Sequence, residues 1–420
     1  MPSRTPARRC PVLSAGLIGL AMGMVAWSGP AAADESQPSV SLSARDTFDI
    51  WDVADGGVRR GTVALNKLQL GGTVQGDDFG LAGFSVHGQI FRTDGRSLSG
   101  RIGDIQTADN IETPPVTRLF EAWIEKRFGN DERSLAFRAG LIDLNADFDS
   151  IETAGLMLSS SHGVGPDLSK SGVDGPSIFP VTSLALEMSW LPSKRWTFRV
   201  AAFDGVSGDP GRPAVFVSAR LSPRDGALVI GQADYHLSDA ARIEVGLWRY
   251  SRALPAIGPG AAHDQGIYAS LDTPVPHAKG WRAWGRAGLA SGSVQAVSGY
   301  LGAGLVRQGP LKDRPDDQIG IAIARAEIGA PAMTALGLPN AETSIEATYQ
   351  LKLGNSVAVQ PDVQYVIHPA GEAGVRTALA MGLRLVLTAG FPKKAPAADS
   401  ADPTAPPDGP PPPDTGAPPT

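Results

Sequence analysis

Fourteen side chains carry the chemistry legible in this chain: Glu121, Trp123, Glu125, Arg127, Arg138, Arg199, Arg282, Trp284, Arg286, Gln350, Gln360, Asp362, Gln364 and Arg384. They stand at alternate positions of extended, apolar-rich segments, so each shares a face with polar or small neighbours. Guanidinium, carboxylate and amide groups set side by side can exchange hydrogen bonds with a polar solute, and an indole adds an apolar ring face. The same groups can pair with one another or solvate a polar wall. Catalysis has less support. Ser159-Ser160-Ser161-His162 brings hydroxyl and imidazole close in sequence, yet no third orienting group is marked. The six histidines are scattered without metal-ligand spacing, so neither a metal nor another cofactor is expected. Asp77-Asp78 and Asp316-Asp317 read as turn residues.

The elements that must position these residues are strands. From Leu379 onward, Met381, Leu383, Leu385, Leu387 and Phe391 fall on one face, against Ala380, Gly382, Arg384 and Val386. The preceding segment sets Val357, Val359, Val363, Tyr365 and Ile367 against Ala358, Gln360, Asp362 and Gln364. That is period two rather than 3.6. An apolar face of lipid-spanning length opposite a polar, small-residue face suits a transmembrane antiparallel β-barrel, an all-β fold. The same criterion predicts strands near 40–51, 62–75, 82–92, 118–128, 134–143, 182–191, 195–204, 214–222, 227–236 and 241–250. The remaining ones fall near 265–273, 281–290, 298–307, 318–327, 344–353, 356–367 and 377–391.

Both ends of a bacterial barrel lie on one side, so the strand count is even and one of these segments must go. The segment 214–222 puts Phe216 on its polar face and runs into Ser222-Pro223-Arg224-Asp225-Gly226, so it reads as loop. With sixteen strands, 93–117, 144–181, 205–226, 251–264 and 328–343 fall outside, and 93–117 and 144–181 are the longest outer loops. Tight connections at 76–81, 129–133, 192–194, 237–240, 274–280 and 354–355 fall on the periplasmic side. Pro361 predicts a bulge, because proline cannot donate to the ladder. A change of face between Leu65 and Leu68 predicts a second bulge or a later start of that strand.

The ends of the chain read differently. Arg4, Arg8 and Arg9 precede an apolar run from Val12 to Trp27 and the small residues Ala31-Ala32-Ala33, the pattern of a cleaved secretory signal over 1–33. The single cysteine, Cys10, lies inside it, so the mature chain has no disulfide and no thiolate metal site. After the barrel region, 34–391, comes a tail at 392–420 rich in Pro, Ala and Asp, which buries too little apolar surface to fold alone. Beyond the leader, no stretch approaches the roughly 18–20 apolar residues of a membrane helix. Net charge of -6 and 50 glycines fit a two-faced sheet and exclude the basic surplus of a nucleic-acid binder.

Several motifs carry a resemblance. Arg118-Leu119-Phe120-Glu121-Ala122-Trp123, Gly140-Leu141-Ile142-Asp143 leading to Phe148, Arg314-Pro315-Asp316-Asp317-Gln318-Ile319-Gly320 and Gln360-Pro361-Asp362-Val363-Gln364-Tyr365 resemble the carbohydrate-selective outer-membrane porins of the OprB type. The resemblance runs in order from about Ser39 to Phe391. It implies a sixteen-stranded porin of the outer membrane, surrounded by lipid, that lets small sugars diffuse through a channel narrowed by inward-folded loops. The fourteen residues above would then line the pore, the acidic, basic and amide groups meeting sugar hydroxyls and the tryptophans the sugar ring. The Pro-rich tail adds a second role, a link to peptidoglycan or to a periplasmic partner. An enzyme is the least supported class.

Overall fold

The computed structural model describes residues 40–391; the expected signal segment and the Pro-rich tail lie outside them. Sixteen antiparallel strands close into one barrel. In chain order they are β1 (Val40–Gly57), β2 (Gly61–Gln75), β3 (Phe84–Gly95), β4 (Val116–Gly129), β5 (Ser134–Ile142), β6 (Ser183–Ser193), β7 (Trp196–Asp204) and β8 (Ala227–Ser238). They continue as β9 (Ala241–Pro255), β10 (Ala261–Pro274), β11 (Trp281–Ala290), β12 (Val297–Gln308), β13 (Gln318–Ile328), β14 (Ala341–Leu353), β15 (Val357–Ile367) and β16 (Arg376–Phe391). Each strand pairs with its sequence neighbours, and β1 meets β16 from Leu42↔Phe391 to Val53↔Ala380. Closure gives every strand two partners, as a wall in hydrocarbon requires. The segment 214–222 forms no strand and belongs to the connection after β7.

The side chains invert the pattern of a soluble protein. Phe48, Ile50, Ile124, Leu186, Met381 and Leu383 point outward and are exposed, whereas Thr47, Asp49, Glu187 and Arg384 alternate with them on the inner face and are buried. An apolar exterior around a polar interior is stable only with lipid outside. Connections on the side of the chain ends are short, among them 130–133, 194–195, 239–240 and 354–356. The longest connections, 96–115, 143–182 and 205–226, lie on the opposite side. The last of these slightly outruns 96–115, because β3 and β4 run further toward each other than the alternation suggested.

Three local expectations need correction. The strand keeps its register at Pro361, which pairs with Leu383 on one side, while Thr348↔Asp362 and Leu351↔Val359 bracket it on the other. The Thr348 hydroxyl donates to Pro361 O at 3.1 Å and supports the ladder where proline offers no N–H. There is no bulge and no late start in β2 either, since it pairs without a shift on both edges. Val63 and Leu65 turn inward because Trp51, Leu98 and Ile102 cover them there. In this part of the barrel a bulge occurs in β4 instead. Gln89 pairs with Glu121 and Ile90 with Leu119, leaving Phe120 as the extra residue. Strict alternation would put Phe120 on the outer face with Ala122 and Ile124; with the extra residue it turns inward onto Phe91, with ring centroids 5.7 Å apart.

Candidate functional site

The inner wall divides into a roofed part and a part that keeps water contact. The roof is built by the connections 96–115 and 143–182, whose backbone groups are held by side chains from the strands. Glu342 of β14 accepts from Ile105 N at 2.9 Å and Gln106 N at 3.1 Å. Four residues on, Glu346 accepts from Ser159 N at 3.1 Å. Gln360 and Gln364 of β15 each donate at 2.8 Å, to Leu156 O and Ala108 O. The alternating Gln-Pro-Asp-Val-Gln motif thus works as a ladder that grips two loops. Asp362, between them, is buried with both carboxylate oxygens unpartnered by the protein. Gln350 reaches only as far as Gln360, at 3.1 Å.

Arginines complete the roof. Arg384 of β16 meets Asp49 of β1 at 2.6 Å and crosses to Asp109 at 3.2 Å and Asn110 at 2.9 Å. Trp51 Nε1 donates to the other oxygen of Asp109 at 2.7 Å. Arg286 of β11 is fully enclosed, with Asp149 and Asp167 on its guanidinium and the rings of Tyr268 and Tyr300 each 5.2 Å away. Arg282 donates to Thr153 Oγ1 at 2.7 Å and Asp272 at 2.8 Å. Trp284 is buried with Ile151, Leu156 and Met157 and meets the His162 ring edge-on at 5.2 Å. Burial pushes the His162 imidazole down to about 3, so it stays neutral. Ser159 and Ser161 bond each other, and neither ring nitrogen of His162 has a hydrogen-bond partner. That arrangement assembles no nucleophile and base.

Across the barrel, β4, β5 and β7 present charged side chains that stay partly exposed, while Glu187 and Asp234 beside them are buried. Arg138 of β5 lies between Glu125, at 3.0 Å, and Asp147, at 2.5 Å. Arg199 of β7 pairs with Asp234 and stands 3.8 Å from Asp147. Glu187 of β6 faces Arg138 across the β5–β6 ladder, one carboxylate oxygen unpartnered. Glu121 accepts from Trp123 Nε1 at 3.2 Å. Trp123 has its ring stacked by His87 at 5.0 Å and overlain by the Arg138 guanidinium at 4.4 Å. Gly140, opposite Trp123, makes this fit: its φ is +140° and a Cβ there would come 2.2 Å from Ala122 O. Arg127, at the end of β4, ties down the turn residues Asn130 and Asp131.

The structure therefore brings Glu121, Trp123, Glu125, Arg138 and Arg199 together on the wet wall. It sets Arg282, Trp284, Arg286, Gln360, Asp362, Gln364 and Arg384 against the loops. The loop partners of these two sets, Asp147 in the first and Asp109, Asp149 and Asp167 in the second, escaped sequence reasoning because loops have no period to mark a facing side. Glu187, Asp49 and Glu346 were within reach, since they share the inward parity of their strands. Among the described residues no group of three or more His, Cys, Asp or Glu side chains is placed to hold a metal ion.

The likeness to known proteins follows the same geometry. The profile of the family described as "Carbohydrate-selective porin, OprB family" matches residues 65–388. The high-pH structure of Pseudomonas putida OprB is similar with a TM-score of 0.72 and 17% identity, covering 83% of this chain and 94% of that one. The outer membrane channel DcaP of Acinetobacter baumannii is similar with a TM-score of 0.54 at 9% identity, over 85% and 99% of the two chains. Among curated proteins, Porin AaxA of Chlamydia abortus is 29% identical over 101 residues, 24% of this chain and 22% of that protein. Its namesake in Chlamydia pneumoniae is 31% identical over 106 residues, 25% and 24% of the two. These matches span under a quarter of the chlamydial porins. The profile covers most of the barrel, and the strand order and closure agree with it; the chain belongs to the OprB family of carbohydrate-selective porins, β-barrels of the outer membrane.

Proposed function

We propose that this barrel lets small neutral carbohydrates diffuse across the outer membrane along the wall formed by β3 to β8. One observation carries the reading: Glu125, Arg138 and Arg199, with Asp147 of the 143–182 segment, form a row of opposite charges that stays partly exposed, while the charged groups of the facing wall are buried against the loops. A sugar sheds water as it enters a narrow channel and needs both donors and acceptors at each step. Alternating guanidinium and carboxylate groups supply both, and neighbouring opposite charges cancel the field that would favour one ion. Because the groups already bond each other, a hydroxyl gains little by displacing one partner, so binding stays weak enough for release. The stacking faces of Trp123 are engaged by His87 and Arg138, and Trp284 is buried. The polar row therefore recognises the solute, and no free indole face is needed. Single-channel recording tests this: glucose added to a reconstituted channel should lower the ion current in a concentration-dependent way. Current indifferent to glucose at every concentration would refute the reading.

A further inference from the structure

The lipid-facing wall carries a feature that transport does not use. A groove of about 440 Å³ runs across β4 to β8 on the outer surface, within the roughly 300–1,000 Å³ range of small-ligand sites. Its floor is Ala139 and Ala202, and the taller side chains of Ile124, Phe137, Leu186 and Met188 form its sides. The register explains the trough. Ala139 lies between Ile124 and Leu186, and Ala202 between Leu186 and Val229, so short side chains alternate with long ones along the hydrogen-bonding direction. An outer wall that only had to meet fluid lipid would gain nothing from a fixed trough.

One end of the groove opens beside Lys126, which points outward from β4 near the turn 130–133. Its ammonium lies 4.4 Å from the Phe84 ring centroid and 5.1 Å from that of Phe128, and it donates to Ala82 O. Trp190, Phe198, Trp196 and Tyr235 continue the same level as a stack, with successive ring centroids 5.5, 5.5 and 4.6 Å apart. Such aromatic girdles mark the boundary between hydrocarbon and headgroups. Lys126 therefore sits at headgroup depth, on the side of the short turns, with the groove on its hydrocarbon side. Arg133 and Arg195 occupy the two neighbouring turns, and among the described residues neither has an acidic partner within ion-pair distance, whereas Asp131 and Glu132 of the same rim are paired with Arg127 and Lys194.

We propose that this groove is a binding site for one anionic glycerophospholipid of the periplasmic leaflet. An acyl chain lies in the trough over Ala139 and Ala202, and the phosphate is held by Lys126, with Arg133 and Arg195 adding to the positive rim. The charge decides the occupant. A second copy of this barrel would bring its own Lys126 and rim arginines toward these, whereas a lipid phosphate complements them.

The test uses the full chain, purified in mild detergent after reconstitution with phosphatidylglycerol or with phosphatidylcholine, and read by native mass spectrometry. The unaltered barrel should carry one phosphatidylglycerol and retain phosphatidylcholine far less. Lys126→Gln should lower the phosphatidylglycerol-to-phosphatidylcholine ratio about fivefold, the contribution of one basic residue beside an anionic surface. Ala139→Leu with Ala202→Leu fills the trough and should abolish retention of both lipids. These leucines face lipid and heat-modifiable gel mobility checks that the barrel closes; if it does not, the Lys126→Gln ratio carries the test. An unaltered barrel without retained lipid, a ratio unmoved by Lys126→Gln, or a dimer lost on filling the trough would each overturn the proposal.

Discussion

Arg286 on β11 holds Asp149 of the longest connection through two parallel hydrogen bonds, 2.7 Å from Nε and 2.8 Å from Nη2. The same guanidinium takes Asp167, eighteen positions on, so a single buried cation fixes both arms of the 143–182 segment to the wall. A planar fork with five donors can serve two carboxylates at once, which an ammonium cannot do with the same geometry. We propose that the size of the channel therefore depends on a group that no solute touches.

Replacing Arg286 with Ala should leave Asp149 and Asp167 without a counter-charge in an enclosed site, a loss of about 3–5 kcal/mol for the segment. The strands do not need this segment to pair, so the barrel should still show heat-modifiable mobility. Single-channel conductance should rise and trisaccharides should begin to pass. Arg286→Lys should restore the small conductance only in part. Conductance equal to that of the unaltered protein would show that the ion pairs do not set the aperture.

Arg138 acts in a different way. Its removal strips the cation that lies between Glu125 and Asp147, and leaves an acidic stretch with Glu121 and Glu187. Arg138→Ala should shift reversal potentials in a KCl gradient toward cation preference. It should also weaken the block of ion current by sugar about tenfold, the effect of one lost charge-assisted hydrogen bond of ~1.5 kcal/mol. If ion preference stays the same, the row does not face the conducting path.

Gly140 should tolerate no side chain. A Cβ would sit 2.2 Å from Ala122 O at a φ that suits glycine, so Gly140→Val should cost about 1–3 kcal/mol of local strain and displace Trp123. The measurement is the temperature at which the folded gel band is lost, which should fall while sugar block weakens. A variant with an unchanged transition temperature and unchanged block would contradict the packing described for β4 and β5.

How much of this was readable beforehand depends on which face a residue occupies. The outward faces of β15 and β16 are set by contact with lipid, so Val363, Tyr365, Met381 and Leu383 follow strict alternation and their strands could be placed closely. Inward faces answer to whatever covers them. Val63 and Leu65 face a loop rather than water, and an apolar pair there imitates a change of strand face. The bulge at Phe120 left no mark because Arg118 and Phe120 are both plausible on either side of an extended strand. Asp109, Asp149 and Asp167 sit in connections whose shape comes from tertiary contacts, and only the arginines opposite them carried a periodic signal. The motifs around Arg314 and Gln360 were legible as family marks, and the structure gives them physical roles. Asp317 binds Arg314 at 2.9 Å and Lys352 N at 2.9 Å, locking adjacent short turns together.

Truncation after Pro392 should leave the barrel unchanged, because the closing ladder is complete at Leu42↔Phe391. The truncated protein should keep its folded gel mobility and its swelling rate in sugar solutions. Sedimentation with purified cell wall should decrease if the Pro-rich segment links the barrel to peptidoglycan, as we propose. A truncated protein that fails to fold, or that gains a much larger conductance, would show that residues 393–420 belong to the barrel.

In the proposed function a partly exposed polar wall beside two fixed loops admits small sugars by size and hydrogen bonding. Liposome swelling with the purified barrel, run in parallel on a monosaccharide, a disaccharide and a trisaccharide series at equal osmolarity, tests it most directly. Swelling should be fast for monosaccharides, slower for disaccharides and nearly absent for trisaccharides, and Arg286→Ala should lift the last exclusion. Liposomes that hold folded protein and remain impermeable to monosaccharides would contradict the account.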